Sequence, residues 1–97
     1  MIHELLKHGS QNAIPTTELC EMTGMVERQV RELIERERLD GYIILSGGMG
    51  YYLPSENHTI GTLEVGTWVY MRMLTSSAIA RTASLAQQLW ESGEYKT

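Results

Sequence analysis

Leu19-Cys20-Glu21-Met22-Thr23-Gly24-Met25-Val26-Glu27-Arg28-Gln29-Val30-Arg31-Glu32-Leu33-Ile34 is the stretch that decides the fold. Two short helices that cross steeply need a small residue where their backbones approach, and Cys20 behaves as a small hydrophobe. Four residues later the connecting turn needs a positive φ, and Gly24 supplies it. Met25 can plug the corner, and Val30 points back from the second helix toward Cys20. Leu33 and Ile34 follow at helical spacing on the same face. This arrangement predicts a helix-turn-helix.

Working outward, Ile2, Leu5 and Leu6 predict a short helix over residues 2–8, stopped by Gly9. Ser10-Gln11-Asn12 reads as a polar loop, and Ala13-Ile14-Pro15 as one short edge strand. Thr16 or Thr17 is placed to cap the next helix, which runs to about Met22. A longer helix is expected from about Val26 to Leu39, with Val30, Leu33, Ile34 and the stem of Glu37 inward. Arg28, Gln29, Arg31, Glu32, Glu35, Arg36 and Arg38 cover its other sides. Asp40-Gly41 stops it. Tyr42–Ser46 and Tyr51–Leu53 then flank Gly47-Gly48-Met49-Gly50, a hairpin signature, and Ala13-Ile14 is placed to add a third strand.

Beyond Pro54 the pattern changes. Residues 55–65 read as a breaker-rich linker. Residues 66–91 carry Trp68, Met71, Leu74 or Thr75, Ala78, Ile79, Thr82, Leu85, Ala86, Leu89 and Trp90 at helical spacing. They predict one helix of about 24 residues, about 36 Å long. The expected fold is therefore α+β and mostly helical. A winged helix over residues 1–54 (a three-helix helix-turn-helix core plus a β-hairpin wing) precedes a long C-terminal helix.

The runs Ile14–Met25, Val30–Ile34, Asp40–Ile44 and Gly48–Pro54 resemble small winged-helix proteins encoded by bacteriophages and prophages. The resemblance covers residues 2–54, and the final helix is similar in placement and length. It implies DNA binding in phage replication, packaging or transcription control, within a bacterial host cell. The chain departs from that pattern at two positions. Val26 stands where such proteins usually carry a Ser or Thr cap, and Met49 where their wing tip carries Lys or Arg.

Composition bounds the rest. The 97 residues are 42% hydrophobic and 21% charged, the balance of one globular domain. No apolar run reaches the roughly 20 residues of a membrane span, and no signal peptide is apparent at the N-terminus. The one cysteine has no partner for an internal disulfide, which fits a cytoplasmic location. His3, His8 and His58 lack metal-ligand spacing, and no cofactor is implied. Gly47–Gly50 lacks the Lys and following helix of a phosphate loop, and no nucleophile elbow is present, so no enzyme is expected.

With duplex DNA as partner, Arg28 and Arg31 are the candidates for guanine, Gln29 for adenine, and Glu32 for cytosine or for orienting Arg28. Thr16 and Thr17 are placed to hold a phosphate at a helix start. Gly48, Met49 and Tyr51 place the wing near the minor groove or the backbone. The net charge of −4 opposes nucleic-acid binding and favours a second reading, a protein-interaction module on the same scaffold. The sparsely charged last helix predicts a homo-oligomer through Met71, Leu74, Ala78, Leu85, Leu89 and Trp90.

Overall fold

The computed structural model describes residues 1–74 and 77–96, with the backbone alone over 77–80. Among the described residues the chain is α+β and mostly helical. Helices α1 (Thr16–Thr23) and α2 (Glu27–Leu39) precede a hairpin of β1 (Leu45–Gly47) and β2 (Gly50–Tyr52). Helices α3 (His58–Met73) and α4 (Ser77–Ser92) follow.

The turn between α1 and α2 forms as the spacing predicts. Gly24 ends α1 at φ 74°, and its N–H donates to the Cys20 carbonyl at 2.9 Å. Thr23 donates its hydroxyl to the Leu19 carbonyl and accepts the Met25 N–H, which closes the corner. Leu19, Val30 and Ile34 are fully buried between the helices, with Cys20, Met25 and Leu33 packed around them.

The N-terminus departs from expectation. A 3-10 turn over Ile2–Glu4 replaces the helix read over residues 2–8. The fully buried carboxylate of Glu37 causes this. It accepts the N–H groups of Ile2 at 2.9 Å and His3 at 2.8 Å, and the His3 Nδ1 stands 2.5 Å from it. By residue 8 the chain is extended and bridges Leu53. Thr16 and Thr17 do not cap α1 either. Pro15, extended at ψ 152°, is the N-cap residue, so both threonines already lie inside the first turn.

The hairpin register pairs Leu45 with Tyr52, Ser46 with Tyr51 and Gly47 with Gly50, leaving Gly48-Met49 as the tip. The third strand is reduced to one bridge, in which Ile14 and Tyr51 exchange both backbone hydrogen bonds at 2.9 Å. Gly50 makes this possible. It sits at φ 130°, and a Cβ there would lie 2.2 Å from the Ile14 carbonyl oxygen.

Side chains alternate across an extended chain, and here both faces are covered. Ile44 and Tyr51 turn to a core built with Ile2, Leu6, Ile14, Leu19, Val30 and Ile34. Ile43, Leu45 and Tyr52 turn to a second core built with Val65, Trp68, Val69, Ala83, Ala86 and Trp90. Burial, with Glu64 nearby, raises the Tyr52 phenol above its ordinary value.

The single helix expected over residues 66–91 is two helices folded back on each other. Trp90 donates its indole N–H to Thr62 Oγ1 at 3.0 Å, so the start of α3 lies beside the end of α4. A straight rod would separate Trp68 and Trp90 by about 33 Å, whereas the fold-back buries both in one core. The stretch read as linker, 55–65, is largely helix for a local reason. Asn57 Oδ1 accepts the Ile60 N–H and starts α3 at His58. Gly61 is buried where the helices meet, and a Cβ there would come within 2.8 Å of the Trp90 ring.

Two glycines separate backbone cost from steric cost. A Cβ on Gly24 would meet nothing within 4 Å. Gly24→Ala should therefore lose only about 1–2 kcal/mol, the penalty of the left-handed region. Gly50→Ala, which also collides with the Ile14 backbone, should lose clearly more and lower the melting point by well over ~10 °C. Urea unfolding of both variants checks this, and equal losses would contradict the geometry.

Candidate nucleic-acid interface

The front of α2 begins directly after the Gly24 turn. Val26 is its N-cap residue, and its hydrocarbon side chain accepts nothing. Instead Gln29 reaches back, and its Oε1 accepts the Val26 N–H at 3.1 Å. Gln29, expected to read adenine, thus has its carbonyl committed to the helix start.

Glu27, Arg28, Arg31 and Glu32 are exposed along the same half of α2. Arg28 Nε lies 3.0 Å from Glu32 Oε1, and Arg31 pairs with Glu27, both at i, i+4. Arg28 remains 88% exposed within its pair. Exposed pairs of this kind contribute about 0.3–0.5 kcal/mol, so either arginine can exchange its carboxylate for another anion at little cost. Arg36 is also exposed.

The far end of α2 is different. Arg38, expected on the solvated side, is buried. It donates to the Ile44 carbonyl at 2.8 Å and to Glu35 at 2.7 Å, and its guanidinium stands 4.7 Å from the Trp68 ring. Arg72 reaches the same Glu35 at 3.1 Å and the same ring at 4.7 Å. Burial, and then the neighbouring Arg72 charge, pull the Arg38 guanidinium down to about 10, so it stays charged at neutral pH. Glu37 is inward as its spacing predicts, and Arg38, expected on the solvated side, also falls on the inward face, four residues after Ile34.

The remaining predicted residues fall in two places. Gly50 lies against Ile14 and Pro15, so the hairpin adjoins the start of α1, where Thr16 is half-buried and Thr17 exposed. Gly48 and Met49 form the exposed tip, with Met49 at 75%. Tyr51 does not join them. Its backbone is paired with Ile14, and its ring packs on the N-terminal core with the Arg38 guanidinium 5.9 Å away.

The predicted oligomer residues also divide. Met71 on α3 and Leu74, the residue that ends it, are exposed, whereas Trp90 is buried in its own chain's core with Leu89 packed against it. Leu85 is half-buried, and the side chain of Ala78 lies outside the described residues. Among the described residues no cluster of His, Cys, Asp and Glu suits a metal ion, and no helix is long and apolar enough to cross a membrane.

If the α2 front is free surface, Arg28→Ala and Arg31→Ala should each shift stability by less than about 0.5 kcal/mol in denaturant titrations. A larger loss would assign the arginines to the fold. No protein-family model, curated protein or solved structure matches the chain.

Proposed function

We propose that residues 1–54 form a winged helix that binds duplex DNA, with α2 as the helix that enters the major groove. The observation that carries this reading is the front of α2. Arg28, Gln29, Arg31 and Glu32 all face solvent on the helix that follows the left-handed Gly24 turn. Arg28 and Arg31 are the guanine readers, since a guanidinium matches O6 and N7 of that base. Glu32, 3.0 Å from Arg28, orients it. Gln29 contributes its amide N–H groups. The first turn of α1, at Thr16 and Thr17, donates backbone N–H groups to a phosphate. The hairpin tip, Gly48-Met49, brings no cation and rests on the duplex by shape alone.

The chain's charge shapes the expected behaviour. Arg38 and Arg72 are engaged inside, so Arg28, Arg31 and Arg36 make up much of the cationic surface of a chain with net charge −4. With about three cations at the duplex, the salt slope is no steeper than about −3 in log–log form, which is shallow for a DNA-binding protein. Discrimination then rests on a few base contacts. From the sequence resemblance to phage and prophage winged helices we infer a binding role in replication, packaging or transcription control in a bacterial cytoplasm, without catalysis.

A second reading has its own observation. Met22 and Val26 beside the turn and Met49 at the hairpin tip are 50–75% exposed. Apolar residues there suit a protein partner docked on the same scaffold.

Fluorescence polarisation with random-sequence duplex DNA at two salt concentrations separates the two. DNA binding requires affinity that falls with salt. Arg28→Ala or Arg31→Ala should weaken binding to a selected site by about 5- to 150-fold, the value of one bidentate base contact. Absence of binding even at low salt would leave the protein-interaction reading.

A further inference from the structure

Helix α3 is apolar on two opposite sides. Gly61, Val65, Trp68 and Val69 face the core. Ile60, Leu63, Tyr70, Met71, Met73 and Leu74 are exposed, each between 49% and 67%. Within this set Ile60, Leu63, Thr67, Tyr70 and Leu74 follow a strict three-four spacing over two heptads, about 21 Å of helix. That is the seam of a helix paired with another helix. A helix apolar all round belongs in an interior.

We propose that α3 pairs antiparallel with α3 of a second copy, forming a symmetric dimer centred on Thr67. Three observations select a second copy as the occupant. First, the exposed face carries no charge. The two ionisable side chains near it turn to their own chain, since Glu64 accepts the N–H groups of Ser10 and Ser55 and Arg72 meets Glu35. A two-fold contact sets a patch against itself, and an uncharged patch does this without repulsion even in an acidic chain. Second, the size fits. At about 200 Å² for a large side chain, the five exposed residues on the seam side, Met73 pointing elsewhere, present roughly 600 Å², the lower bound per partner of a standard interface and the upper end of the largest patch on most monomers. Third, the centre is small. Gly66 and Thr67 lie between the large residues, and a Cβ on Gly66 would meet nothing within 4 Å, so two backbones can approach there.

The register follows from the centre. With Thr67 opposite its own copy, Ile60 lies across from Leu74 and Leu63 from Met71. This replaces the oligomer surface expected on the last helix, keeping Met71 and Leu74 and releasing Leu89 and Trp90 to the chain's own core. It is independent of DNA binding.

The test is the mass of the full chain in solution by light scattering at roughly 100 µM, far above a micromolar Kd. The expected mass is twice the 11.0 kDa of one chain. Leu63→Glu should halve it, with circular dichroism unchanged. Adding Met71→Lys to that variant should restore the dimer, because the register sets the two new charges opposite each other; a folding defect would not be rescued this way. Thr67→Cys in a Cys20→Ser background should give a disulfide-linked dimer under mild oxidation. A monomeric wild-type chain would overturn the proposal and assign the face to another partner. So would a dimer indifferent to Leu63→Glu, or one without the disulfide.

Discussion

Three consecutive residues, Ile43-Ile44-Leu45, hold the molecule together because they are buried on both sides. Ile44 belongs to the core beneath α1 and α2, and its neighbours belong to the core beneath α3 and α4. An extended chain turns successive side chains to opposite faces, so an unbroken apolar triplet requires two apolar layers. Once it is sandwiched, the hairpin is a partition between two helical pairs. Its turn end, Gly47-Gly48-Met49, stands clear.

Polar groups at the end of α2 fasten the partition. Glu37 holds the N-terminal turn by its backbone, while Arg38 holds the Ile44 carbonyl and lies beside Trp68 of α3. Buried charges are costly unless paired and hydrogen-bonded, and Glu35 meets both Arg38 and Arg72. The result is a division of labour along one helix. The C-terminal half of α2 is anchored in the two cores, and the N-terminal half presents its charges to water.

What could be read from the sequence follows the range of the interactions. The Gly24 turn, the Cys20 and Val30 packing and the glycine-rich hairpin rest on neighbours within about ten residues, and their chemistry is visible in the residue types. The fold-back of the last segment is not local. Periodicity continues through residues 66–91 whether the helix is one rod or two, and burying Trp68 and Trp90 together is a tertiary event. The same holds for Arg38. A charged residue amid alternating charges reads as surface until a tryptophan from a helix 30 residues away covers it. On α2 helical spacing puts Arg28, Gln29, Arg31 and Glu32 on the side that the structure leaves exposed, whereas the packing of the Tyr51 ring on the N-terminal core is a tertiary contact that strand pairing with Ile14 alone does not reveal.

These facts bear jointly on how an acidic chain would engage a polyanion. Attraction at a distance depends on the summed charge, which is unfavourable at −4. Attraction at contact depends on the few cations that touch. Arg28 and Arg31 sit in solvent-exposed pairs bound so weakly that a phosphate can replace the carboxylate, and where Glu32 stays in place it orients Arg28 toward a base. Glu27 and Glu32 remain beside the arginines after the exchange, and they penalise any register in which a phosphate fails to displace them. A surface built this way sacrifices non-specific affinity, since every misplaced contact meets a carboxylate, and gains discrimination by the same repulsion. On this reading the negative net charge lowers affinity at a distance and adds selectivity at contact.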